Sequence, residues 1–505
     1  MPFEPDHGGQ GLPWLVAVAL QEMWATGNMG FSLCPLLTQG GVEVLTKFGT
    51  PEQQKLYLEK LVSGEWTGTM NLTEPQAGSD VGAIRMKAVK DGADYRLYGQ
   101  KIYITYGEHD YTPNIIHMVL ARTEGAPEGS KGLSLFIVPK VLVNADGSLG
   151  ARNDVKAVSL EHKLGIHASP TAVLAFGDST GAVAHLIGEE GRGIEYMFVM
   201  MNAARLGVGM QGVAMCERAY QHARGYARDR VQSRDVANPK GEAVAIIQHP
   251  DVQRMLLTMR AYAEATRALA YSAMASLDLA SKHEDETVRR VSQLRVDLLT
   301  PVVKAWSTDL GVEAASLGIQ VHGGMGYIEE TGAAQHYRDA KIACIYEGTN
   351  GIQANDLVFR KIGRDNGAMA LGFVAEGRAA VAGLAALPGD DAAAIAARLG
   401  EGLTALEGAT IWVAANHKTD PKGVAAAAAS YLRLFGFVAG GVMLAKSAGV
   451  ALAELGQPGS EADFLTAKLV VARFYMEQLL PPTTALASTL ESAGRTTGGF
   501  VESWF

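Results

Sequence analysis

The chain has 505 residues, of which 48% are hydrophobic and 19% charged, and a formal net charge of −9. That composition excludes a disordered chain, and the acidic balance argues against a nucleic-acid binder, which would carry basic stripes. Cys34, Cys216 and Cys344 show no paired spacing, so neither a disulfide framework nor a metal site is expected, and a reducing compartment fits.

From Leu15 to about Leu61, apolar residues recur at three and four positions, the mark of helices, and Thr50-Pro51-Glu52 predicts a helix start with Thr as cap. The opening MPFEPDHGGQG has no basic segment followed by an apolar one, so no signal peptide is read there. Between Trp66 and about Gly191 the character changes. Segments such as YRLYGQKIYIT, IIHMVLAR, LSLFIVPKV and TAVLAFG, separated by Gly, Asp, Asn or Pro, predict a mostly antiparallel β-domain.

Helical periodicity returns at Ile194 and persists to about Ile362, with long units at 194–230, 250–282 and 286–320. The Ala-rich remainder, 365–505, is helical and broken near Leu387-Pro388, Asp420-Pro421 and Gln457-Pro458. Within it LFGFVAGGVMLA, 434–445, is too short to span a bilayer and reads as a buried helix. The expected organisation is α+β. It comprises a partial N-terminal helical domain at 1–65, a middle antiparallel β-domain at 66–191, a helical bundle at 192–362 and a C-terminal helical extension at 363–505. A soluble cytoplasmic protein is the expectation.

Four stretches could carry chemistry, and each also has a plain structural reading. Leu72 to Asp80, LTEPQAGSD, is an exposed loop with free N–H groups and hydroxyls suited to a polar ring or phosphate, or simply a turn. It lacks the P-loop pattern. Gln320 to Gly326, QVHGGMG, lets backbone approach a bulky anion, or supplies a helix C-cap with His322 packed beside it. Arg230 and Arg234 flank Gln232 and Ser233 and would suit a pyrophosphate, or mark a solvated helix end. Asn202 and Arg205 lie three apart on one helical face. Finally, IACIYEGTNGIQ places Glu347 after an apolar run and before Gly348, Thr349 and Asn350. Glu is welcome at a helix N-terminus, but a carboxylate in a dry pocket is also a stronger base.

Taken in order, Thr-Glu-Pro-x-Ala-Gly-Ser-Asp (73–80), Gly-Gln-Lys-x-x-Ile-Thr (99–105), Gln-x-x-Gly-Gly-x-Gly (320–326) and Arg-Asp-Ala-Lys-Ile-x-x-Ile-Tyr-Glu-Gly-Thr (338–349) resemble the acyl-CoA dehydrogenase family. The likeness covers roughly 8–362. The helical tail, with KIYITYGEHD and MMNAARLGVGMQG, is similar to the subgroup containing 3-methylmercaptopropionyl-CoA dehydrogenase. The resemblance implies FAD and oxidation of an acyl-CoA thioester to the trans-2-enoyl-CoA. It makes Glu347 the base that takes the α-proton, with its own N–H on the thioester carbonyl, and Gly348 the residue that leaves room for the thioester.

By the same resemblance Met70, Leu72 and Thr73 would lie along the flavin, with Tyr103, Ile104 and Thr105 on its other side and Ser79 near both the flavin and the CoA arm. Arg230, Gln232, Gln320 and Gly324 would reach the FAD of a neighbouring subunit, while His249, Thr349 and Gly351 are further cofactor contacts. Asn202 and Arg205 would meet the pantetheine arm. A homodimer or larger oligomer and an electron-transfer flavoprotein as acceptor are implied as partners. The rivals are an acyl-CoA oxidase and a non-catalytic CoA-binding relative.

The chain departs from the family pattern in several places. Tyr103 stands where many members have Trp, Gln232-Ser233 replaces a frequent Thr-Phe, Pro250 follows His249 where Gln is common, and Gly351 replaces Gln. The stretch GGQG, which in the family follows several helices, comes at residue 8, so additional N-terminal helices are expected in the full-length protein.

Overall fold

A computed structural model describes residues 2–504, which divide into two compact units, Met1–Gly207 and Val208–Phe505. In the first unit, helices α1 (Trp14–Phe48) and α2 (Pro51–Ser63) precede the sheet. Thr50 opens α2 with a capping box: its hydroxyl accepts from Gln53 N, while Gln53 Oε1 accepts from Thr50 N at 3.0 Å. This reciprocal pairing satisfies two orphan donors and fixes where the helix begins.

The strands are β1 (Thr67–Asn71), β2 (Lys87–Asp91), β3 (Asp94–Thr105), β4 (Ile115–Thr123), β5 (Leu133–Pro139), the small hairpin β6 (Val141–Val143) and β7 (Leu149–Arg152), then β8 (Val155–Leu160), β9 (Thr171–Phe176) and β10 (Ala182–Ile187). The main sheet runs β1-β4-β5-β10-β3-β9-β8, with β2 pairing β3 and β4. Its pairs are antiparallel except β1–β4 and β2–β4, which are parallel. Strands β4 and β5 are buried almost throughout, so the branched residues that marked them as strands also form the core. Where β3 meets β9 the register shifts between Lys101 and Ile104, and Tyr103 takes φ +61°. Such a bulge re-aims side chains at a strand end.

Helix α3 (Gly193–Asp229) belongs to the first unit up to Gly207 and to the second beyond it. The second unit continues with the hairpin β11 (Val231–Arg234) and β12 (Ala243–Ala245), then α4 (Pro250–Lys282), α5 (Glu286–His322), α6 (Ala333–Ala343) and α7 (Asn350–Asn355). The tail adds the short turn α8 (Gly363–Asp365), then α9 (Ala368–Ala385), α10 (Asp390–Asn416), α11 (Pro421–Glu454), α12 (Ala462–Phe474) and α13 (Pro482–Thr497). The breaks before α10, α11 and α12 fall at the Pro-containing sites read from the sequence, while those at 366–367 and 480–481 were not read there. Two stretches, Asp356–Ile362 and Tyr475–Leu479, are π-helical, which periodicity did not foretell.

Helix α11 is mostly buried and packs against α4, α5 and α7, so its apolar centre is core. By length and composition α9 and α11 could each cross a membrane, yet 78% of the α11 window is already covered by protein. The close approach is to Trp306 of α5: a Cβ on Gly436 would lie 2.2 Å from Trp306 Cγ, and one on Gly440 would lie 2.5 Å from the far edge of the same ring. Gly436→Ala is therefore expected to lower stability by about 1–3 kcal/mol through overpacking. Thermal unfolding checks this, and an unchanged Tm would mean that α11 does not rest on Trp306.

Candidate active site

Helix α6 ends at Ala343, and the chain turns through Cys344 to Thr349 before α7 begins. The N-cap of α7 is Thr349, whose hydroxyl accepts from Ile352 N at 3.2 Å. Glu347 stands two residues ahead of that cap, so the helix-start explanation for its carboxylate does not hold. Instead its backbone is left-handed, φ +55°, and Gly348 follows at φ +81°. A left-handed non-glycine residue costs on the order of 1–3 kcal/mol and persists only where its surroundings over-determine it. In this chain Glu347 is half-buried rather than sealed off.

What holds the turn is a set of buried polar groups. Gln353, fully buried on α7, donates through Nε2 to Glu347 O at 3.1 Å and Gly348 O at 3.3 Å. Lys304, fully buried on α5, donates to Gly348 O at 2.8 Å and Asn350 Oδ1 at 2.9 Å. Asn350 Nδ2 in turn donates to Asp309 Oδ1 at 2.7 Å. Burial pushes the Asp309 carboxyl up, and donation from Asn350 and Cys344 offsets only part of that. Next to Glu347, Tyr346 donates to Gln211 Oε1, and burial and then the Glu347 charge push its hydroxyl up. None of Lys304, Asp309, Asn350, Gln353 or Gln211 was singled out from sequence. The available signal was a lysine set among Val302, Val303, Ala305 and Trp306, an apolar run with no room for a solvated charge.

Elsewhere in the second unit one small group of the predicted residues comes together. Arg230, Gln232 and His249 meet at the β11–β12 hairpin. There Arg230 Nη2 donates to Gln232 Oε1 at 3.2 Å, and His249 Nε2 lies 2.8 Å from Gln232 O. Arg230 and Gln232 are exposed, as are Gln320 and Gly324 at the end of α5 and Gly351 on α7. His322 is packed, stacked on Tyr226 at 4.5 Å between ring centres, with Nδ1 2.7 Å from Gly318 O.

In the first unit Met70 on β1 and Leu72 just after it are half-buried against the core, Thr73 beside them is half-buried, and Ser79 is exposed further along the loop. Ile102 N donates to Thr73 O at 3.0 Å, which joins this segment to the end of β3. Tyr103 is 61% exposed, whereas Ile104 is 2% exposed with its side chain in the core. Ile104 can therefore face a bound ring only through its backbone, because the bulge returns alternation to the inward face. Asn202 is half-buried, and Arg205 is buried with its guanidinium 6.0 Å from the Phe198 ring. An apolar strip of Met70 and Leu72 beside the hydroxyl of Thr73, with an exposed aromatic on the joined strand end, fits a flat, polar-edged heterocycle.

Family models cover nearly all of this architecture. Those described as the acyl-CoA dehydrogenase N-terminal, middle and C-terminal domains match residues 1–65, 69–179 and 191–361, and one described as acetyl-CoA dehydrogenase C-terminal like matches 373–499. The 3-methylmercaptopropionyl-CoA dehydrogenase of Ruegeria pomeroyi is 50% identical over 97% of this chain and 82% of its own length. The chain belongs to the acyl-CoA dehydrogenase family. The broad-specificity linear acyl-CoA dehydrogenase FadE5 of Mycobacterium tuberculosis is 36% identical over 96% of this chain and 81% of its own. The crystal structure of Caenorhabditis elegans ACDH-11 in complex with C11-CoA shares the fold, with a TM-score of 0.73 at 23% identity over 93% of this chain and 76% of that one.

The loop that follows β1 in this acyl-CoA dehydrogenase is held by an internal ion pair. Lys101 is fully buried on β3, and its Nζ lies 2.8 Å from Glu74 Oε1 and 2.9 Å from Leu72 O. Glu74 also accepts from Arg85 N at 2.7 Å and Met86 N at 3.1 Å. Burial pushes the Glu74 carboxyl up, but Lys101 and these donors outweigh it and hold it below its ordinary range. Lys101→Met would strand a buried carboxylate, an expected loss of about 3–5 kcal/mol. Denaturant unfolding of the purified variant measures it, and a loss near zero would show that the pair does not fix the loop.

Proposed function

We propose that Glu347 is the base of an FAD-dependent acyl-CoA dehydrogenase that takes the α-proton of an acyl-CoA thioester, with 3-methylmercaptopropionyl-CoA as the substrate. The observation that carries the reading is the left-handed Glu347–Gly348 turn, gripped at both carbonyls by Gln353 and Lys304. Such a turn fixes the direction in which the Glu347 Cα–Cβ bond leaves the backbone, the starting point for aiming its carboxylate as a general base. The substrate reading rests on 50% identity along nearly the whole chain to the enzyme from Ruegeria pomeroyi.

In this account Met70, Leu72, Thr73, Tyr103, Ile104 and Thr105 hold the flavin ring, with Ser79 beside it and the CoA arm. Thr349 and Gly351 touch the cofactor from the base's own loop. Bound FAD supplies the two-electron acceptor for the β-hydride. The protein's part is to bind, orient and move one proton. The Glu347 carboxylate accepts the proton from the α-carbon, and the two electrons of that C–H bond become the new α,β double bond. Meanwhile the Glu347 N–H donates to the thioester carbonyl, where negative charge develops. Gly348, without a side chain, leaves space for the thioester, and Asn202 and Arg205 meet the pantetheine.

Arg230, Gln232, Gln320 and Gly324 then serve the cofactor of a neighbouring subunit, with His249 a further cofactor contact, so the enzyme is at least a homodimer. It works in the cytoplasm and passes electrons to an electron-transfer flavoprotein. Peroxide formation that keeps pace with turnover in air would instead mark oxygen as the acceptor.

Glu347→Gln keeps the size of the side chain and removes the base. The variant is expected to retain FAD and bind acyl-CoA while flavin reduction slows by at least ~10²–10⁴-fold. Anaerobic stopped-flow bleaching with 3-methylmercaptopropionyl-CoA and butyryl-CoA measures this. Parent-like bleaching would remove Glu347 from the role, and a faster parent reaction with butyryl-CoA would overturn the substrate assignment.

A further inference from the structure

Lys304 is the least expected residue near the base. It sits mid-helix on α5, fully buried, among side chains that would pack as well around a methionine. Its Nζ is directed instead at the turn, donating to the carbonyl of Gly348 at 2.8 Å and to Asn350 Oδ1 at 2.9 Å. A lysine offers only donors and a carboxylate only acceptors, so the Asn350 amide between them has one sensible orientation. Its oxygen faces Lys304, and its nitrogen faces Asp309 Oδ1 at 2.7 Å, Thr308 Oγ1 at 3.1 Å and Ala305 O at 3.2 Å. The start of α7 and the carbonyl just after the base are thereby fastened to one point of α5. Gln353 fastens the Glu347 carbonyl from the other side.

We infer that Lys304, acting through Gly348 and Asn350, is the positioning residue that holds Glu347 in its left-handed, proton-accepting orientation. This rests on the reading of Glu347 as the base. Lys304 touches neither the thioester nor the flavin in this account. Its effect is on the backbone: if the Gly348 carbonyl is released, that peptide loses its tie to α5, and although Asn350 still holds the start of α7 to Ala305, Thr308 and Asp309, the turn is freer to rotate towards an ordinary conformation. The carboxylate then points elsewhere and the Glu347 N–H turns with it, while the first-unit residues assigned to the flavin, and Asn202 and Arg205, stay as they are. The consequence is a split between binding and chemistry that a lysine with a merely structural role would not produce.

The test uses the FAD-loaded full chain in three forms, Lys304→Met, Asn350→Ala and Glu347→Gln, each mixed anaerobically with 3-methylmercaptopropionyl-CoA and followed at the flavin absorbance. For Lys304→Met the limiting reduction rate is expected to fall about 10²-fold, the cost of a misplaced reacting group, with flavin content at the parent value and the acyl-CoA Kd changed far less than the rate. Asn350→Ala, which leaves the lysine but removes one anchor, falls less and in the same pattern. It decides the matter if Lys304→Met does not accumulate as folded protein. A parent-like limiting rate in the folded variant overturns the inference, as does a fall matched by equal losses of acyl-CoA affinity and flavin. Glu347→Gln separates the two claims. If it reduces flavin as fast as the parent, the base assignment fails and the positioning role with it. If it is inert while Lys304→Met is parent-like, only the positioning role fails.

Discussion

The turn between α6 and α7 depends on one backbone constraint, the left-handed conformation of Glu347, whose side chain the proposed chemistry requires. Two consecutive positive φ values, at Glu347 and Gly348, turn the chain sharply between α6 and α7. Glycine relieves the second position at little cost, but the first is strained. The strain is opposed by donors on the inner side of the turn, Lys304 and Gln353, both without solvent exposure. Out of water such bonds are strong and directional, and leaving any of these groups unpaired would be costly. The turn, the start of α7 and the middle of α5 therefore form one rigid piece. Rigidity here would serve the proposed chemistry, because a general base contributes only when its carboxylate is already aimed.

The first unit solves a related problem in the same way. The loop after β1 must stay open to solvent at Ser79 yet keep its first residues in register with the end of β3. Lys101 reaches through the core to the Leu72 carbonyl and is neutralised by Glu74, which also collects the N–H groups of Arg85 and Met86. In both units a buried lysine ends on a loop carbonyl, that of Leu72 in the first and of Gly348 in the second. Buried ion pairs and buried amines are poor sources of net stability but good sources of a single geometry. That trade suits loops whose positions matter more than their strength.

Much of the architecture was legible in the sequence because it rests on local rules. The 3.6-residue period located α3, α4 and α5 to within a few residues, Thr50-Pro51 marked the start of α2, and the apolar Leu434–Ala445 stretch proved to be core packed on Trp306. The motif around Glu347 stood out because a carboxylate followed by Gly-Thr is an unusual end to an apolar run. What could not be read was the non-local pairing. Lys304 meets Gly348 across 44 positions, Lys101 meets Leu72 across 29, and Tyr346 meets Gln211 across 135. No periodicity encodes such partners. Two hints were present: Lys101 shares an inward strand face with Tyr95 and Leu97, and Lys304 interrupts an apolar helix stretch. Ile104 shows the opposite limit. A motif placed it beside the ring, but the bulge at Tyr103 sends its side chain into the core.

The central claim is that Glu347 removes the α-proton, and proton exchange tests it without requiring oxidation. A 3-thia acyl-CoA has an acidified α-carbon but no hydride to give at the next position, so a base can exchange its α-hydrogens while the chemistry stops there. Incubated with the FAD-loaded enzyme in D2O and followed by mass spectrometry, this analogue should take up deuterium with the parent chain and not with Glu347→Gln. Uptake at the parent rate in the glutamine variant would contradict the account.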